Sequence, residues 1–113
     1  MSVRITEDNF EREILQNGIP VLVEFYTDGC VACKRFSPVL TEIEEEFEGR
    51  AQVYKINANV NEKLVADYSI MSAPSLLFFS GGKEMERKTG ICTKEQVTEI
   101  LNRIRQEQNG GAP

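Results

Sequence analysis

The chain has no histidine and no tryptophan, three cysteines, and too little positive charge to balance its acids. Without an imidazole, every mechanism that needs a histidine base is excluded, and so are the zinc sites that use histidine. Thirteen basic residues against eighteen acidic give a net charge of -5. Such a surface repels phosphate backbones and has no counterions to release from them, so nucleic acid is not an expected partner. The longest apolar run falls far short of the ~20 residues that cross a bilayer, and no membrane contact is expected. The opening stretch MSVRITEDNF carries neither an apolar core nor a small-residue cleavage site. No secretory signal is therefore expected, and the expected compartment is the reducing cytoplasm.

What is present suits one globular domain, in which roughly two thirds of the unfolded surface can be buried at this size. Residues 8–17, DNFEREILQN, carry a D-x-x-E capping box (Asp8 with Glu11) and Phe10, Ile14 and Leu15 at helical spacing, before an Asn17-Gly18 stop. Pro20 opens PVLVEFY, apolar on both faces, the pattern of a central strand covered on each side. Phe36, Val39, Leu40, Ile43 and Phe47 then mark a long amphipathic helix, with a kink expected at Pro38. AQVYKIN (51–57) reads as a strand and NEKLVADYS as a short helix capped by Asn61. Alternation of this kind implies parallel strands, with a first strand added if residues 2–5 form one. Segments 75–79 and 84–88 flank Gly81-Gly82 as an antiparallel hairpin. Thr93 and Gln96 form a capping box for a last helix with Val97, Ile100, Leu101 and Ile104 on its buried stripe. A single domain over 1–108 and a disordered tail over 109–113 are expected.

The chemistry lies in Cys30 and Cys33, where the apolar strand gives way to the long helix. Residues i and i+3 share one side of a helix at a spacing compatible with a disulfide, so the pair can close in place. Cys30 meets the free N–H groups of the first helical turn, whose partial positive charge favours a thiolate, and Lys34 and Arg35 add to that field. Cys30 is thus assigned as attacking thiolate and Cys33 as resolving thiol. Two other uses compete. A zinc ribbon needs a second C-x-x-C, and only Cys92 remains, which leaves an iron–sulfur cluster shared across a dimer as the metal alternative. A purely structural disulfide suits a cytosolic chain poorly, and so short a loop restrains little unfolded-chain entropy. Glu24 stands out in turn, because an ionisable group in a strand apolar on both faces acquires a raised pKa and can move protons near neutrality.

These landmarks in order (PVLVEFY, C-x-x-C followed by Lys34, Pro38, VYKIN, and SAPSLLFFSGGKEMERKTG with its proline before a strand) make the chain resemble the thioredoxin family over nearly its whole length. The resemblance implies an α/β, three-layer thioredoxin-like fold with a central mixed sheet of four to five strands flanked by about four helices. It also implies a monomeric protein-disulfide reductase with no bound cofactor and no metal, acting on protein disulfides and drawing electrons from a separate reductase, a flavoprotein. Pro74 then corresponds to the family's cis-proline, and Gly29, Val31, Ala32, Ala73, Pro74 and Gly90 to the surface that holds the substrate backbone. Glu24 takes the place of the family's usual buried aspartate, the proton acceptor for the resolving thiol, and Lys55 that of its neighbouring lysine.

Departures from the family pattern are as informative. The loop reads Gly29-Cys30-Val31-Ala32-Cys33 where the family has Trp-Cys-Gly-Pro-Cys, which removes an aromatic platform beside the nucleophile and alters the first helical turn. In this it resembles atypical thioredoxins of anaerobic bacteria, some of them tied to amino-acid reductases. Two other functions stay open: a dedicated electron donor to one reductase system, and a non-catalytic binding or chaperone module. Cys92 reads as a small buried hydrophobe. The five glutamates within 42–48 read as a solvated helix face.

Overall fold

The structure is a computed structural model that describes residues 4–108. Its centre is β1 (Val21–Tyr26), whose first five residues are all buried. Parallel to it runs β2 (Gln52–Asn57), delivered by the helix α1 (Val31–Glu46) as a strand–helix–strand crossover. On its other side β1 pairs antiparallel with β3 (Ser75–Ser80), which turns back into β4 (Lys83–Thr89), giving the sheet order β2-β1-β3-β4. The second crossover thus departs from the expected parallel pattern. The short helix α2 (Glu62–Asp67) and the loop after it bring β3 alongside β1 running the opposite way.

The alternation of side chains along β1 splits the core in two. Leu22 points to the layer of α1 and α3 (Lys94–Gln108), with Phe36, Leu40, Ile43, Phe47, Val97, Ile100, Leu101 and Ile104 packed around it. Val21, Val23 and Phe25 point the other way, to α2 and to a π-helical segment, Glu11–Leu15. Phe10, Tyr68 and Phe79 form an aromatic triangle there, with ring centroids 5.3 to 5.9 Å apart, that fixes both helical pieces to β3. Each fully buried side chain of this size contributes roughly 1.5–3 kcal/mol of transfer free energy to holding the layers together. The expected mixed sheet flanked by helices on both faces is present.

Local signals fared unevenly. α1 continues through Pro38, and the Thr93–Gln96 box is formed in both directions: Thr93 N–H donates to Gln96 Oε1 at 2.9 Å and Gln96 N–H to Thr93 Oγ1 at 3.1 Å. The Asp8–Glu11 box is not formed. Asp8 N–H instead donates to Thr6 Oγ1, and Asn9 accepts from Thr6 N–H and donates to the Arg4 carbonyl, a turn that outcompetes the cap. Asn61 stands at the N-cap of α2 but its amide donates back to the Asn57 carbonyl. The N–H of Lys63 is met by the Glu7 carboxylate from the N-terminal segment. Arg4 and Ile5 are not in a strand, whereas Ser2, Val3 and the tail 109–113 lie outside the described residues.

The hairpin turn has both glycines at positive φ, +61° and +81°, as a tight two-residue connection requires. Gly82 also sits against the Leu15 carbonyl, where a Cβ would approach to 3.0 Å. β4 forms one edge of the sheet, with the sequence KEMERKT. Its charges are bound locally: Arg87 to Glu84 at 2.6 Å, and Arg103 of α3 to Glu86.

Because the Thr93 box closes the start of α3, Thr93→Ala is expected to lower stability by about 1 kcal/mol. Urea unfolding checks this, with Thr93→Ser, which keeps the hydroxyl, expected to recover most of the loss.

Candidate active site

The C-terminal end of β1 runs through residues 27–29 into α1, and Gly29, at φ +77°, makes the turn that puts Cys30 at the helix N-cap. Cys30 is extended (φ -78°, ψ 106°) and its Sγ accepts the N–H of Cys33 at 3.1 Å. The two cysteines are joined as a disulfide with Cα atoms 5.3 Å apart. Cys30 is half-buried and Cys33 buried, so only the first sulfur faces a reactant. No acidic residue occupies the first turn of α1. The carboxylate nearest in sequence, Asp28, accepts from the Asn57 side-chain amide, and its own N–H donates to Asn59 Oδ1.

Glu24 shares the face of β1 that Leu22 presents to α1. Phe36 and Leu40 pack in the same core layer as Leu22, and Cys33 is the buried residue one turn nearer the start of α1. The side chain is 1% exposed, and among the described residues its Oε2 has no hydrogen-bond partner. Burial pushes its carboxyl up to about 7, with the Lys55 ammonium pulling the other way. Lys55 is its cross-strand neighbour on β2, yet the Lys55 ammonium donates to Ser37 Oγ at 2.7 Å.

A groove of about 460 Å³ opens beside Cys30, walled by Thr27, Ala58, Asn59, Val65, Ile70, Met71, Ser72 and Ala73. The Ala73–Pro74 peptide bond is cis, as expected, and the Pro74 carbonyl accepts the Gly90 N–H at 2.8 Å. Ser75 Oγ donates to the Ser72 carbonyl, pinning the same loop. Val31 is 61% exposed and Met71 90% exposed, a large apolar presence around the one accessible sulfur. The structure therefore gathers Cys30 and Ala73 at one groove, with Pro74 and Gly90 bonded together behind it and Val31 exposed at the start of α1. Gly29 is exposed and Ala32 half-buried in the loop and first turn that carry the pair. Sequence reasoning overlooked Met71 and Ser37. A methionine inside the polar loop before Pro74, and a hydroxyl four residues after Cys33 on the same helix face, were the available signals.

Cys92 lies in the α1–α3 core, and its burial raises the thiol pKa. The glutamate-rich end of α1 is mainly solvated, with Lys94 bound to Glu46 at 2.9 Å and Glu42 at 3.5 Å. No helix is long and apolar enough to cross a membrane, and among the described residues no three or more cysteine, aspartate or glutamate side chains gather to hold a metal ion.

A disulfide held between the N-cap and first turn of a helix, with one sulfur presented to a groove, is placed to exchange with what binds there; the class so defined is the thiol–disulfide oxidoreductases. Comparison with known proteins narrows this. The Thioredoxin family model matches residues 1–103, and the chain belongs to the thioredoxin family. It is 38% identical to a thioredoxin of Pyropia yezoensis, covering 91% of this chain and 97% of that one. It is 31% identical to a thioredoxin of Rickettsia felis (91% and 98%) and 37% to one of Acidithiobacillus ferridurans (87% and 91%).

The raised carboxyl of Glu24 has a measurable consequence. A folded-state pKa above the usual 4.5 means that the folded protein holds this proton more tightly than the unfolded chain. That stabilisation is complete below pH 4.5 and is lost as pH rises through about 7. Urea unfolding of the oxidised protein between pH 5 and 8 is expected to show a decline of up to about 3 kcal/mol from this group, absent in Glu24→Gln.

Proposed function

We propose that the protein works mainly as a reductant of protein disulfides. Cys30 attacks one sulfur of the substrate disulfide, the other leaves as a thiolate, and a mixed disulfide forms. Cys33 then gives up its proton and attacks Cys30 Sγ. The Cys30–substrate bond breaks, the substrate leaves with both electrons as its second thiolate, and the Cys30–Cys33 disulfide is left. The single observation that carries this division of labour is the difference in access: Cys30 is half-buried at the groove and Cys33 is buried beneath the first turn. The hydrogen bond from Cys33 N–H to Cys30 Sγ supports it, because the same donor and the helix N-terminus favour negative charge on that sulfur.

Glu24 accepts the proton of Cys33 in this reading, helped by Lys55. An acceptor titrating near neutrality suits a thiol proton better than an ordinary carboxylate does. Pro74 with Ala73, Gly90, Val31, Gly29 and Ala32 presents the substrate backbone. No cofactor is bound, and electrons arrive from a separate reductase, a flavoprotein, in the cytoplasm, where the protein acts as a monomer over residues 1–108. The exposed side chains of Val31 and Met71 favour a narrower version in which the protein serves chiefly one reductase system, since apolar contact area sorts partners.

Cys33→Ser is expected to accumulate mixed disulfides with a disulfide-linked model protein, and Cys30→Ser to reduce it no faster than the uncatalysed background. Mass spectrometry of trapped species checks both. Redox equilibration against glutathione buffers with thiol trapping tests the direction: a couple more reducing than the cytosolic pool is expected. A pair that stays oxidised against that pool would point to an oxidase or binding role instead.

A further inference from the structure

Ser37 lies four residues beyond Cys33, one turn along the face of α1 that carries Cys33, Phe36 and Leu40 toward the sheet. Its hydroxyl accepts the Lys55 ammonium at 2.7 Å. An ammonium on the strand next to a buried carboxylate would ordinarily bind it, and Glu24 and Lys55 are direct partners in the β1–β2 register. Here the hydrogen bond of the ammonium goes to Ser37, and among the described residues Oε2 of Glu24 stays buried without one. We propose that Ser37 is a positioning residue, whose hydroxyl holds the Lys55 ammonium off Glu24 and so keeps the buried carboxylate an acceptor for the Cys33 proton instead of half of an ion pair.

The chemistry favours a hydroxyl for this task. It accepts a hydrogen bond from the ammonium without cancelling its charge, so Lys55 still tempers Glu24 from a distance. A second carboxylate would neutralise Lys55, and an alanine would release it. From the other elements around Glu24, β3 presents Leu76 in register. Beyond it on β4 stands Lys88, whose ammonium lies 3.9 Å from Glu86. On α1 Cys33 is buried and disulfide-bonded, whereas Lys34 and Arg35 are exposed. Lys55 is thus the cation placed to close on Glu24.

The inference rests on the assignment of Glu24 as proton acceptor, and the test separates the two. The Glu24 carboxyl is titrated by carbon-13 NMR in the oxidised protein, in its own sequence and in Ser37→Ala, Ser37→Thr, Lys55→Met and Ser37→Ala with Lys55→Met. In Ser37→Ala the midpoint is expected to fall by about one pH unit or more as Lys55 closes on the carboxylate. Ser37→Thr, which keeps the hydroxyl, is expected to retain the original midpoint, and Ser37→Ala is expected to have no effect once Lys55 is methionine. A midpoint unmoved by Ser37→Ala, or moved equally without Lys55, overturns the proposal. The resolving step is read separately, as release of thionitrobenzoate from a preformed Cys30 mixed disulfide across pH. There Ser37→Ala is expected to move the acid limb down with the NMR midpoint and to lower the plateau about threefold, the weaker base being the poorer acceptor. If Glu24→Gln leaves that pH profile unchanged while the NMR midpoint still answers to Ser37→Ala, Glu24 is not the acceptor and the proposal falls at its premise.

Discussion

The constraint on which this molecule depends is that β1 is covered on both faces. Its position between β2 and β3 satisfies its backbone hydrogen bonds, and its alternating side chains nucleate two separate cores. Nothing in such a strand can adjust independently. Its C-terminal end is therefore a fixed platform, and the chain leaving it reaches the N-terminus of α1 after only a short turn. The position of Cys30 follows from packing some distance away, in the Leu22, Phe36 and Leu40 contacts, more than from anything in the loop itself.

Against that background a carboxyl group inside β1 is costly. A buried, unpaired carboxylate loses its hydration without compensation, and the chain escapes most of that cost by keeping the proton until neutral pH. Stability and proton handling are in this way two descriptions of one side chain. Its neighbours decide how far each goes, since Lys55 reaches both toward Glu24 through the field and toward Ser37 through a hydrogen bond.

Much of the fold was legible because its strongest signals are periodic. The uninterrupted apolar run of β1, the spacing of Phe36 to Phe47, the Gly81-Gly82 turn and the Thr93–Gln96 box each specify one local structure that packing also favours. Capping at Asp8 and Asn61 was misread because short polar side chains have several backbone partners within reach, and which one wins depends on where distant segments come to lie. Glu7 serving the start of α2 is such a case. The antiparallel placement of β3 was not visible in the strand–helix alternation and entered only through family resemblance. In the site, the cysteine pair and the burial and raised pKa of Glu24 were readable from the residues and the cis bond before Pro74 through the family resemblance, whereas Met71 and Ser37 gain meaning only from their neighbours in space.

The outer strand has a bearing on life at high concentration. A sheet ends in a row of unpaired peptide groups, and a flat apolar margin there would invite strand after strand from other molecules. β4 carries Lys83, Glu84, Glu86, Arg87 and Lys88 along that margin, several locked in ion pairs, and a bulge interrupts its register opposite Phe78 and Phe79. Such a border is hard to extend, so crowded copies of the molecule resist joining edge to edge along β4.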